Sequence, residues 1–277
     1  VACSGPYEGE LDFGRISGVS ATQTVTINGN GNEIKSDEYG IYLEGTQYLI
    51  FDNLKVVSAS SRTNYEAFCF RFGLNANFNI IRNCELVMTD GEGTSTSTVQ
   101  AQSAYIYMAE NGTNSWWRGN ASDNIIENNK MWNGSASNNN VVNAGVLVSG
   151  YISNNGLPSR NIFRNNEIRD FNHAGFLVRN GVDNEFVGNR VHSNDAIRIG
   201  YGMRIEYQQG GRIDSNTIEN LESDGNFYGI YIYANQGSQG DEYTVKGNTI
   251  NDNQSGSNST FYGIYQSGFR APNITAF

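Results

Sequence analysis

The sequence predicts an all-β chain that folds as one right-handed parallel β-helix of about eight coils. Two repeated motifs and their spacing lead to this class. An eight-residue motif, Asn161-Ile-Phe-Arg-Asn-Asn-Glu-Ile168, returns as Leu49-Ile-Phe-Asp-Asn-Leu-Lys-Val56, Asn79-Ile-Ile-Arg-Asn-Cys-Glu-Leu86, Asn124-Ile-Ile-Glu-Asn-Asn-Lys-Met131, Asn184-Glu-Phe-Val-Gly-Asn-Arg-Val191, Gly211-Arg-Ile-Asp-Ser-Asn-Thr-Ile218 and Tyr243-Thr-Val-Lys-Gly-Asn-Thr-Ile250. Successive copies lie 23 to 45 residues apart, a period at which each repeat buries its apolar face only by stacking on its neighbours. Between the copies runs a second motif, Tyr39-Gly-Ile-Tyr-Leu-Glu44, echoed by Glu66 to Arg71, Gln102 to Tyr107, Ala144 to Ser149, Ala174 to Arg179, Tyr201 to Glu206, Tyr228 to Tyr233 and Tyr262 to Tyr265. Its apolar residues alternate at period two, which is the signature of a strand.

The third and eighth positions of the first motif are apolar in every copy, from Phe51 and Val56 to Val245 and Ile250. They are expected to face the core from two strands joined by a tight turn. The sixth position settles to asparagine in the last five copies, Asn129, Asn166, Asn189, Asn216 and Asn248. Asparagine suits a turn because it tolerates left-handed backbone and its amide both donates and accepts. Stacked copies are expected to bond amide to amide as a ladder. Leu54 and Cys84 hold the same position earlier, so no amide rung is expected there.

Residues 1–38 read as leading and capping strands, with Leu11 to Ile16 and Thr24 to Ile27 extended and 28–32 a turn. Residues 39–277 read as one continuous β-helix domain, cut from a longer chain if the eighth repeat, which breaks off before another asparagine motif, continues elsewhere. The chain opens on Val1 without a basic-then-apolar start, as expected where a targeting segment has been removed. No apolar run approaches the length of a membrane span.

The 277 residues include 39 asparagines, 32 glycines and 3 prolines, and their formal charge is -10. With no basic run to track a phosphate backbone, nucleic acid is set aside as a partner. Cys3, Cys69 and Cys84 are too few and odd in number for a disulfide framework, and Cys84 is expected to be a buried free thiol.

The two motifs resemble the right-handed parallel β-helix repeat of the pectate-lyase-like superfamily, which spans secreted polysaccharide lyases, glycoside hydrolases and surface proteins. The likeness covers roughly residues 39–265. The opening, Gly5-Pro-Tyr-Glu-Gly with Ile16 to Ile27, also resembles β-helix segments of large secreted proteins of Bacteroidetes-type bacteria. The resemblance implies a secreted or cell-surface protein and a substrate groove on the outer face of the second motif. It carries no function by itself, since one fold hosts many activities.

On that face two outward columns are expected. One runs Tyr42, Cys69, Tyr105, Leu147, Leu177, Arg204, Tyr231, Tyr265; the other runs Glu44, Arg71, Tyr107, Ser149, Arg179, Glu206, Tyr233. The longest insertions flank the third strand of this series. They are expected to wall a trough floored by Arg71, Tyr105 and Tyr107, with Trp116 and Trp117 overhanging it to stack on sugar rings. Tyr231 and Tyr233 extend the binding face. Arg179, Arg204 and Glu206, with Tyr207, Asp195 and His192 near in sequence, form the one mixed titratable cluster, and they are the catalytic candidates if the protein is an enzyme. A glycoside hydrolase needs paired carboxylates, and Glu206 has none in its column nearer than Glu44. His192 and His173 read as ordinary coil residues, and Trp132 as packing. No cofactor is expected, because the pectate-lyase-like set of calcium aspartates is missing.

Two function classes follow. One is a structural, adhesive or glycan-binding module whose partners are a polysaccharide or cell-surface glycan and other chains of a surface assembly. The other is a polysaccharide lyase or glycoside hydrolase acting on an extracellular polysaccharide.

Overall fold

The computed structural model describes residues 5–36, 39–58, 68–89, 103–109, 120–134, 142–150, 156–193, 200–233 and 243–268. Every regular element among them is a strand, and the strands form three parallel sheets of eight, nine and nine strands. Each coil visits the sheets in a fixed order. The third motif position lies in sheet 1, the eighth in sheet 2, and the second motif forms sheet 3.

The register follows the repeats. Phe51, Ile81, Ile126, Phe163, Phe186, Ile213 and Val245 stack down sheet 1. Val56, Leu86, Met131, Ile168, Val191, Ile218 and Ile250 stack down sheet 2. All but Ile250 are buried, and they meet the inward residues of sheet 3 in one continuous core. Phe163 and Phe186 stack at 5.3 Å and 3°. The strands Tyr7–Glu8, Leu11–Phe13, Val25–Asn28 and Glu33–Ser36, ahead of Tyr39, pair in parallel as earlier rungs of the same sheets.

The turn between sheets 1 and 2 divides its work between two positions. The fifth motif residue takes the left-handed backbone, with φ of 53° at Asn53, 55° at Asn83, 56° at Asn128 and 54° at Asn165. The sixth, expected to be the left-handed one, instead sends its side chain inward. Asn129, Asn166, Asn189 and Asn216 each donate from Nδ2 to the Oδ1 of the next asparagine, at 3.1, 3.0, 3.0 and 2.9 Å, ending on Asn248. Each Nδ2 also donates to a main-chain carbonyl of the coil before, such as Asn189 to Phe163 at 2.9 Å. The predicted ladder is therefore present and satisfies main-chain groups that the corner would otherwise strand. Below it Cys84 donates its backbone N–H to Asn129 Oδ1 at 2.9 Å, and the thiols of Cys84 and Cys69 are free and buried.

A second amide ladder runs down the corner that leads into sheet 1. Asn79, Asn124 and Asn161, each the first residue of its motif, pass Nδ2–H to Asn124, Asn161 and Asn184 at 3.2, 3.0 and 3.0 Å. The next copy begins with Gly211, where a Cβ would sit 2.3 Å from the Asn184 carbonyl oxygen. Gln208 fills the vacant rung from outside the motif, accepting from Asn184 at 3.3 Å.

Sheet 3 opens on a corner where alternation fails. Gly40, Gly145, Gly175, Gly202 and Gly229 share this level, and a Cβ on Gly175 would lie 2.4 Å from Val191 Cγ1 and 2.8 Å from the Gly202 carbonyl oxygen. Cys69 and Tyr105 occupy the same level in the two intervening coils.

Candidate functional site

The observed register of sheet 3 sets the surface chemistry. Its outer face carries three columns. The first runs Tyr39, Phe68, Ala104, Ala144, Ala174, Tyr201, Tyr228, Tyr262, and the second Tyr42, Arg71, Tyr107, Leu147, Leu177, Arg204, Tyr231, Tyr265. The third includes Ser149, Arg179, Glu206, Tyr233 and Ser267. The expected columns were therefore two residues out of step in the second and third coils, where Arg71 and Tyr107, not Cys69 and Tyr105, continue from Tyr42.

That shift corrects part of the expected trough. Tyr105 is not on its floor: the ring fills the core at the glycine corner and the hydroxyl lies 2.9 Å from the carbonyl oxygens of Arg169 and Asp170. Burial pushes its phenol pKa well above the ordinary value. Arg71 and Tyr107 do lie side by side, but Tyr107 is 2% exposed and packs with Phe68, Ala104, Ala144 and Leu147 in an apolar cluster on the outer face. Trp116, Trp117 and most of both insertions lie outside the described residues, as does Asp195.

Arg179, Arg204 and Glu206 do come together, on neighbouring strands of sheet 3. Arg204 donates from Nε and Nη2 to Glu206 Oε1 at 2.8 and 2.7 Å, while Arg179 Nε stands 3.8 Å from Oε2. The Glu206 side chain is 8% exposed, so both its oxygens are held in a largely buried ion pair. The Arg204 guanidinium lies 5.0 Å over the Tyr201 ring and 5.9 Å over that of Tyr231. Arg179 sits 5.7 Å over Tyr207, which meets Tyr233 edge-on at 5.4 Å.

The cluster also holds a residue read as ordinary coil. His173 Nε2 is 3.0 Å from Arg204 Nη1. Burial, with the adjoining guanidinium, pulls the imidazole pKa down from 6.5 to about 4, so at neutral pH the ring is uncharged and its Nε2 accepts from Arg204. Nothing local in the sequence marks this contact, which joins residues 31 apart. His192 goes elsewhere: it lies in sheet 2, 4% exposed, with Nε2 3.0 Å from Glu167 Oε1. Trp132 bonds from Nε1 to Glu85 at 2.9 Å.

Beyond Arg204 the face is tyrosine. Tyr201, Tyr228 and Tyr262 stack at 5.1 and 4.8 Å, and Tyr231 and Tyr265 at 5.5 Å, with ring planes within 13° of parallel. Rings stacked along the solenoid axis cover one another's faces. What such a half-buried array offers a ligand is ring edges and hydroxyl groups. Among the described residues no three His, Cys, Asp or Glu side chains converge as a metal site requires.

The family model described as "right handed beta helix region" matches residues 108–276. The chain belongs to this β-helix family. Among solved structures it is similar to a double mutant of the periplasmic alginate epimerase AlgG, at 14% identity over 96% of this chain and 77% of that one, with a TM-score of 0.36. It is also similar to the Streptococcus pneumoniae surface protein and adhesin PfbA, at 10% identity over 96% of this chain and 92% of that one, with a TM-score of 0.34. A comparison with curated proteins finds no match.

Proposed function

We propose that this chain is a non-catalytic, secreted or cell-surface β-helix module that binds an extended glycan along the last coils of sheet 3. The observation that supports it is the half-buried tyrosine array around Arg204, whose hydroxyl-bearing edges repeat once per coil. A row of donors and acceptors at that pitch suits a polyhydroxylated chain lying along the solenoid axis. Such a surface buries little of its ligand, so each contact is weak and affinity rises with the number of coils engaged. Other chains of a surface assembly are a second class of partner for the same outer face.

The acid–base groups favour binding over catalysis. Glu206 is committed to two arginines, and Arg204 to Glu206 and His173. One observation favours the second reading, a polysaccharide lyase. His173 is kept neutral beside a guanidinium, and were Arg204 to turn from it to neutralise a substrate carboxylate, the Nε2 lone pair that now accepts from Arg204 would be freed to take the proton α to that carboxylate.

The experiment is to incubate the protein with acidic and neutral polysaccharides, following retention on each immobilised glycan together with the ultraviolet absorbance of unsaturated uronates and released reducing ends. The module predicts retention without product, weakened about tenfold by the Tyr231→Ala, Tyr265→Ala double variant. Product that disappears in His173→Gln would establish the lyase instead.

A further inference from the structure

A second cation on sheet 3 has no counterion among the described residues. Arg71, on the strand Phe68–Phe72, lies with its guanidinium carbon 5.1 Å over the Tyr42 ring, 5.5 Å over Phe68 and 5.9 Å over Tyr107. Its Nε is buried and makes no hydrogen bond. Elsewhere Arg82, Arg164 and Arg204 reach carboxylates at 2.8, 2.5 and 2.7 Å. In a chain of net charge -10 carboxylates are not scarce, yet none among the described residues pairs with Arg71.

Leaving a charged donor desolvated and unbonded is unfavourable, and the ring faces offset only part of that. The same rings restrict the side chain, so a planar, five-donor fork loses little further freedom when an acceptor arrives. Phe68 and Tyr107 are each 2% exposed, whereas Arg71 and Tyr42 are only half-buried, so the open approach is from the Tyr42 side. The column itself separates this group from the one described above. It reads Tyr42, Arg71, Tyr107, then the buried pair Leu147 and Leu177, then Arg204, Tyr231, Tyr265.

We infer that Arg71 is the anchor of a separate anion-binding site, which takes the oxyanion of a carboxylate- or sulfate-bearing ligand on the open end of its guanidinium. The site does not depend on glycan binding at the tyrosine array. A guanidinium donates paired N–H···O bonds to either oxyanion, and the two sources are separated by titration.

The test is two-dimensional NMR of arginine Nε–H groups in the whole chain, with the Arg71 signal identified by its loss in Arg71→Lys. Inorganic sulfate, a uronate oligosaccharide, a sulfated neutral oligosaccharide and its unsulfated counterpart are titrated in turn. The expected result is a saturable shift with the anionic ligands and none with the unsulfated sugar. Followed by calorimetric titration, since these variants lack the reporting signal, Arg71→Lys should weaken binding about tenfold, and Arg71→Met, which keeps the packed stem, should abolish it. The tighter of the uronate and sulfated sugars identifies the source, and equal binding supports recognition of the shared oxyanion. The site is refuted if no anion moves the wild-type signal, if Arg71→Met binds as wild type does, or if the unsulfated sugar binds equally well. Because the wild-type spectrum alone can give the first of these results, poor folding of a variant does not shield the inference. The Tyr231→Ala, Tyr265→Ala variant should titrate at Arg71 unchanged, so the two sites stand or fall separately.

Discussion

Asn189 donates its side-chain amide to Asn216 Oδ1 at 3.0 Å, and its own Oδ1 accepts both the Nδ2–H and the backbone N–H of Asn166 at 3.0 Å. One side chain thus serves groups on two neighbouring coils within a buried corner. Replacing it with leucine strands donors and acceptors on both sides, and a buried polar group left unbonded costs about 1 to 3 kcal/mol. Asn189→Leu should lower stability by that amount in urea unfolding. A neutral result would mean that water replaces the rung.

Tyr243 occupies the first motif position in the last described coil, 1% exposed, with a hydroxyl that finds no partner. Burial raises its phenol pKa well above the ordinary value. Removing the orphaned hydroxyl removes its desolvation penalty, so Tyr243→Phe should stabilise the protein by about 1 kcal/mol. A drop in thermal midpoint would show that the hydroxyl is bonded in solution.

Arg204 and Glu206 are expected to be strongly non-additive. Among the described residues, Arg204→Met leaves a largely buried carboxylate with the 3.8 Å contact to Arg179 alone, a loss of about 2 to 3 kcal/mol. Substituting both residues by methionine removes the uncompensated charge as well, and should cost less than the single change. Denaturant titration of these two variants and of Glu206→Met measures the coupling directly. Equal losses in the single and double variants would remove the ion pair from the account of this face.

His173 predicts a pH dependence whose sign is set by its lowered pKa. The folded state holds the ring neutral down to about pH 4, whereas an unfolded chain takes up the proton near 6.5. Between these values the unfolded state binds more protons, so stability is full above about pH 6.5, falls as pH drops towards 4 and levels off below that. The shift corresponds to a loss of at most about 3 kcal/mol. His173→Gln should flatten this segment of the stability profile. An unchanged slope in that variant would assign the dependence to other groups.

The fold was legible because a solenoid writes its register into the sequence repeatedly. Phe51, Ile81 and Ile126 could be superposed without a structure, and they superpose in it. Asn129 to Asn248 announced one ladder by identity. The other is not announced in this way, because Asn79, Asn124, Asn161 and Asn184 give way to Gly211, and the substitute, Gln208, lies outside the motif. Tyr105 was misplaced for a different reason. A two-residue slip leaves the alternation of faces unchanged, so the pattern around Ala104, Tyr105 and Ile106 could not expose it. The slip mattered only at the glycine corner, where two successive residues face inward. The contact of His173 with Arg204 is set by the path of a whole coil, and no short motif encodes that path.

The two amide ladders and all three sheets direct their hydrogen bonds along a single axis. A force applied along that axis loads the coils in series: the weakest interface between neighbours opens first, and the rest stay closed until it has yielded, as in an array whose units contact only their neighbours. A force applied along the strands loads the rungs together and must shear many bonds at once. The molecule is therefore mechanically anisotropic, compliant when peeled from an end and stiff when dragged sideways.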